Sequence, residues 1–168
     1  RDVFSRILYG AQLSLTVGLI GITVSFLLGI SFGSIAGYFG GKIDWVIQRT
    51  IEILRSLPEL PLWLALSAAV PSNWGPVAVF FIISVILGIL DWPGLARAVR
   101  AKFLSLREEE YVRAAEMMGA SSGRVIRRHL LPNFVSHLIA SATLSIPAMI
   151  LGETALSFLG LGLRAPAV

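Results

Sequence analysis

The 168 residues are 55% hydrophobic and only 14% charged, with a formal net charge of +4 and no cysteine. Soluble domains carry about 25% charged residues, so this much apolar side chain must face something other than water. Disulfides and cysteine metal sites are excluded, and the clustering of the charges argues against a nucleic-acid surface.

Residues 7–41 and 60–90 hold no Asp, Glu, Lys or Arg, and in 130–152 only His137 interrupts the apolar run. A helix needs about 20 apolar residues to cross a bilayer, so the expectation is an all-α, polytopic transmembrane helical bundle, with 1–168 as a single membrane domain. The first run is too long for a secretory leader, and further runs follow it. Because the chain opens on Arg1 and stops at Ala-Pro-Ala-Val, the expectation is a fragment of a longer protein.

The first span is expected at roughly 13–39. Gly29, Gly33, Gly37 and Gly41 recur at every fourth position. Positions four apart share a helix face, and glycines there let another helix come close. The contact is expected within the subunit or across a dimer.

The second span is expected at 45–70. It carries Arg49, Glu52, Arg55 and Glu59, polar groups that are costly in a span unless they face the bundle interior or a wet cavity. Its first turns lie either at the membrane interface, which suits Arg49 and Glu52, or along a water-filled path. Residues 71–76, Pro-Ser-Asn-Trp-Gly-Pro, read as a turn, and the third span follows at 77–91.

Residues 92–133 form a long basic loop. It holds Arg97, Arg100, Lys102, Arg107, Arg113, Arg124, Arg127 and Arg128, and residues 40–55 add Lys42, Arg49 and Arg55, so 11 of the 14 basic residues fall on one side. Positive loops stay cytoplasmic, which puts 92–133 inside and the 71–76 turn outside.

Within the loop, 104–118 reads as a helix with acidic Glu108, Glu109 and Glu110 near its start, favourable to its dipole. Tyr111, Ala114, Ala115 and Met118 fall at i, i+3, i+4 and i+7, one stripe whose alanine centre leaves room for a partner. Gly119 is a helix stop, and Ser121 or Ser122 is placed to cap a second, amphipathic helix at 123–131. Its apolar side is Val125, Ile126 and Leu130, and its basic side is Arg124, Arg127 and Arg128. Pro132 ends or kinks it before a fourth span at 134–158. On periodicity alone the pair is either a docking hairpin or an amphipathic element lying on anionic lipid.

Ala114-Ala115, Gly119 four residues on, and Leu131-Pro132 resemble the EAA loop of ABC importer permeases. That pattern runs Glu-Ala-Ala, three residues, Gly, nine residues, Ile, one residue, Leu-Pro. Here Arg113 replaces the Glu and His129 the Ile, both as in the dipeptide/oligopeptide/nickel branch. The Arg1-Asp2 and 10–15 stretch, Ala96-Arg97, Arg100, 104–106 and the 152–162 segment resemble the C-type subunit of that branch.

The resemblance implies a six-span permease subunit, of which the middle four spans are here, paired with a B-type permease. It also implies two ATPase subunits docked on the EAA loops, an extracytoplasmic binding protein, and a bacterial or archaeal plasma membrane. The implied coupling set is Tyr111, Arg113, Ala114, Ala115, Met118, Gly119, Ala120, Ser121, Leu131 and Pro132. The imported solute would be a peptide, nickel or a similar small molecule.

No cofactor, metal site or catalytic group is expected. Gly41-Lys42 lacks the flanking Gly and the Ser or Thr of a phosphate-binding loop, so ATP hydrolysis would belong to a partner. His129 and His137 stand alone as ligands. The rival reading is a proton-coupled carrier using Glu59, Asp91 and Glu153.

Overall fold

The structure is a computed structural model that describes residues 3–71 and 73–159. Arg1-Asp2, Arg164 and the end of the 152–162 segment lie outside the described residues. Seven α-helices follow one another: α1 Val3–Phe39, α2 Gly41–Ser56, α3 Glu59–Ala68, α4 Pro76–Leu106, α5 Glu110–Met117, α6 Ser122–Val125 and α7 Val135–Phe158. Between α6 and α7 lie a π-helical turn, Ile126–Leu130, and a 3-10 turn, Leu131–Phe134. Among the described residues there is no strand.

Local chemistry sets the breaks. α1 ends where Gly40 and Gly41 adopt φ of 64° and 56°, a region that favours glycine. Leu57 is extended, with φ −84° and ψ 135°, because Pro58 disfavours helical backbone in the residue before it. Gly75 caps α4, and Pro76 opens it where its missing N–H costs nothing.

The central contact joins α1 to α4. The two helices run parallel, because Gly29 lies on Leu95, Gly33 on Ala96 and Val99, and Gly37 on Arg100 and Phe103. A Cβ added at Gly33 would stand 2.6 Å from the Ala96 carbonyl, and one at Gly37 2.6 Å from the Phe103 Cβ. Gly88 repeats the device from the other side, where an added Cβ would stand 2.5 Å from the Gly21 carbonyl oxygen. Gly41, the fourth member of the sequence ladder, touches nothing within 4 Å and instead supplies a positive φ at the start of α2.

α7 runs antiparallel along α1, with Ile146 and Ile150 against Gly18 and Met149 against Gly21. A cluster of Ile22, Ile83, Leu87 and Met149 unites α1, α4 and α7, with Trp63 of α3 at its edge. Ile51 of α2 is fully buried beside Trp92 and Ala96. At the last turns of α4, Arg100 holds Asp44 of α2 through Nε and Nη2, both at 2.5 Å.

Among the described residues, three helices are long and apolar enough to cross a membrane: Gly18–Phe39, Ala78–Leu106 and Ser122–Gly152. Large apolar side chains such as Leu19, Leu27, Ile139, Leu144 and Leu151 stand exposed on them, as lipid-facing side chains do.

The boundaries differ from the sequence expectation in two places. The expected span 45–70 is two helices, α2 and α3. The third span, expected at 77–91, falls within a longer helix, since α4 continues through Pro93 to Leu106. Charge marked the boundary in the sequence, but Arg97, Arg100 and Lys102 sit on a helix whose other side, Ala96, Val99 and Phe103, is fully buried.

Gly33→Ala is expected to destabilise the bundle by ~1–3 kcal/mol through overpacking, seen as a lower melting temperature in detergent. Gly10→Ala, which meets open space, should be neutral or stabilise by about 0.5–1 kcal/mol. Equal effects of the two would show that helix approach is not limiting.

Candidate functional site

The segment from Arg107 to Phe134 is an elbow built on the end of α4. The expected helix 104–118 is divided by a turn: the Arg107 N–H returns to the Phe103 carbonyl at 2.9 Å, and Glu109 is extended with φ −69° and ψ 144°. The Glu109 carbonyl then receives the N–H groups of Val112 and Arg113 at 3.1 and 3.2 Å, starting α5. Glu109 and Glu110 therefore sit at the positive end of that helix.

α5 closes in a Schellman arrangement. The Ala120 N–H reaches the Ala115 carbonyl at 3.0 Å, the Gly119 N–H reaches the Glu116 carbonyl at 2.9 Å, and Gly119 has φ 81°. A glycine in that left-handed position lets the helix stop and the chain reverse. The Ser121 carbonyl accepts from Arg124 and Val125 to begin α6, with no side-chain cap bond.

Two faces of α5 can now be distinguished. Val112 and Ala115 are buried at 0% and 3% exposure. Val112 is packed in one apolar cluster with Val99, Phe103 and Leu106 of α4 and with Val125, Leu130 and Phe134; Ala120 and Leu131 lie against it. Tyr111, Ala114 and Met118 face outward, and Met117 is 89% exposed.

The stripe read from the sequence, Tyr111, Ala114, Ala115 and Met118, is therefore split. Ala115 anchors the elbow to its own subunit, whereas the other three join Met117 on the uncovered face. The sequence signal for Val112 was present, because it lies three residues before Ala115.

After α6 the helix widens. The Leu131 N–H bonds to the Ile126 carbonyl, a five-residue spacing typical of π turns. Pro132, exposed and lacking an N–H, sits in the 3-10 turn that follows. Asn133 ties this turn to α5 by donating to the Tyr111 hydroxyl at 3.0 Å, and it also donates to the His129 carbonyl at 2.8 Å.

Polar contacts link the elbow back to α1 beside a cleft of about 350 Å³ lined by Tyr38, Phe39, Arg107, Glu108, Arg113 and Glu116. The Tyr38 hydroxyl donates to Glu116 Oε1 at 2.7 Å, and Arg113 is hydrogen-bonded to Glu108. The hydrogen bond from Arg113 holds the Glu108 carboxyl below the usual carboxylate range, with help from the Arg113 charge. Neither Tyr38 nor Glu116 was among the residues picked from the sequence, because their meeting across 78 positions leaves no local pattern.

The other candidates lie elsewhere. Glu59 is exposed at the start of α3, Asp91 accepts a 3.3 Å bond from Ser25, and Glu153 lies on α7. His137 stacks on Phe134 with ring centroids 4.6 Å apart. Among the described residues, no three His, Cys, Asp or Glu side chains group as metal ligands.

Comparison with known proteins gives a consistent picture. Residues 29–168 match the family described as binding-protein-dependent transport system inner membrane component. The chain is 42% identical over 166 residues to a dipeptide transport system permease protein of Bacillus subtilis, covering 99% of this chain and 50% of that one. It is 34% identical to an oligopeptide transport system permease protein of the same organism, covering 99% and 52%. It is 38% identical to the oligopeptide permease protein of Haemophilus influenzae, covering 99% and 51%. The chain thus spans about half the length of the curated relatives it matches.

Ala115→Asp is expected to open the elbow, because a carboxylate would be buried at a position only 3% exposed and buried charge is costly without a partner, and limited proteolysis should then cut within 107–134. Ala114→Asp, on the uncovered face, should leave the proteolysis pattern unchanged. Identical behaviour of the two would overturn the division of α5 into two faces.

Proposed function

We infer that this chain, which belongs to the family of binding-protein-dependent transport system inner membrane components, forms part of the translocation path of an ATP-driven importer. In this reading it is a non-catalytic permease subunit that takes mechanical work from ATPase subunits docked on its elbow. The permease names of its relatives favour peptides as the solute.

One observation carries the docking role. α5 is bound to its own subunit through Val112 and Ala115, yet Tyr111, Ala114, Met117 and Met118 are uncovered at the end of two membrane-crossing helices. Methionine is flexible and polarizable and adapts to a partner groove, and Ala114 beside it lets backbones approach. The remaining residues of the proposed coupling set shape this surface from within. Gly119 and Ser121 form the reversal, Arg113 pairs with Glu108, Ala120 and Leu131 pack beneath, and Pro132 sets the exit into α7.

The membrane arrangement follows from direction. α1 and α4 are parallel, and both are apolar enough to cross, so the chain between them has to return across the bilayer. α2 and α3 together supply 26 residues of helix, enough at about 1.5 Å per residue for a crossing of about 30 Å. We therefore assign four crossings: α1, α2 with α3, α4, and the helix ending in α7. The basic elbow lies in the cytoplasm by the positive-inside rule, and the 71–75 turn lies outside. A second permease subunit, two ATPase subunits and an extracytoplasmic binding protein complete the assembly in this reading.

The test is co-purification of ATPase subunits with the full-length permease pair. Met117→Glu combined with Ala114→Asp should lower recovery roughly tenfold or more, as expected when about 1.4 kcal/mol or more is lost at an interface, while expression and detergent stability stay unchanged. Wild-type recovery from this double variant would refute docking on the exposed face of α5.

A further inference from the structure

We infer that Tyr38 couples the docking helix to α1, making it a positioning residue through which movement of α5 reaches the glycine-faced helix and not α4 alone. The inference rests on the docking role proposed above and adds a second route for the force.

Two chains of polar contacts leave Tyr38 and arrive on α5 one turn apart. The first is direct, from the Tyr38 hydroxyl to Glu116 Oε1 at 2.7 Å. The second begins at the Tyr38 carbonyl, which receives Arg107 Nη1 at 3.4 Å. Arg107 Nε lies 3.3 Å from Glu108 Oε1, and Glu108 holds Arg113 of α5. Arg113 and Glu116 are three residues apart and so occupy neighbouring positions on one helix face. Tyr38 therefore reaches one end of this turn of α5 directly, at Glu116, and the other, at Arg113, through Arg107 and Glu108.

The position suits the task. Tyr38 is in the final turn of α1, where carbonyls lack helical partners, and the Arg107 guanidinium takes one of them. Two residues on is Gly40, where a Cβ would stand 3.3 Å from Arg107 Nη1, tight against this link. The ring of Tyr38 also packs on the apolar cluster that holds Val112, Val125 and Leu130, so loss of its hydroxyl alone leaves the packing in place. Gly37, immediately before Tyr38, and Gly33, a turn further back, bring α1 against α4. A displacement of α5 thus acts on both members of that pair together.

The experiment uses the full transporter, permease pair with ATPase subunits, in nanodiscs. Spin labels are placed on exposed Ile35 of α1 and exposed Ile139 of α7, and the distance distribution is compared before and after vanadate trapping. In Tyr38→Phe the odds of the trapped conformation should fall roughly threefold to tenfold, the size expected for the net contribution of one solvent-accessible hydrogen bond. ATPase subunits should co-purify as in wild type. Glu116→Gln keeps a carbonyl acceptor and should stay within about twofold of wild type. An unchanged distance shift in Tyr38→Phe, or a shift lost only together with ATPase co-purification, would overturn the coupling role. Failure of wild type to retain any ATPase subunit would instead overturn the docking role beneath it.

Discussion

The close approach of α1 and α4 is the constraint on which the rest depends. Lipid tails are as apolar as leucine, so two membrane helices gain little by hiding apolar side chains from each other and must gain by contact and fit. Gly29, Gly33 and Gly37 on one helix and Gly88 on the other remove the side chains that would hold the backbones apart. With that pair fixed, α7 finds its groove through Gly18 and Gly21, and α2 is clipped beside α4 by Asp44 and Arg100. The same contact fixes direction: parallel neighbours oblige the intervening chain to turn back between them.

The elbow inherits its position from this pair. α4 runs as one helix through Pro93 to Leu106, and its last buried residues, Val99, Phe103 and Leu106, become the floor on which α5 and the following turns pack. The outward face of α5 is left without cover, while its inward face is part of a continuous apolar cluster. A surface held in this way is stiffly mounted, and under the proposed function that is what lets a partner's motion be transmitted rather than absorbed by a loose loop.

Much of this was legible in the sequence, and the reasons differ by feature. The apolar runs around α1, α4 and α7 and the stop at Gly119 depend on local composition and backbone preference, which one sequence displays. The glycine ladder was legible as a face but not as a partner; Gly41 fits the same spacing, yet its role is conformational. The continuation of α4 past residue 91 was not legible in the sequence, because Arg100 is satisfied by Asp44 on another helix. The faces of α5 were misassigned at Ala115, since a small residue suits a close partner on either side. Tyr38 and Glu116 were invisible, because contacts between distant positions are written in the fold rather than in any window of sequence.

The wide turn at Ile126–Leu130 has a consequence for everything downstream. Buried positions through this region are Val125, Leu130, Phe134 and, packed beside them, Leu138, a spacing of five and then four and four. An unbroken α-helix starting from Val125 would have brought His129 inward in place of Leu130. The extra residue advances the phase by about 100°, one residue's worth of helical rotation. The azimuth of α7 is therefore decided before that helix begins: which of its stripes meets α1 and which faces away from the bundle is dialled in by a one-residue slip in the turn that precedes it.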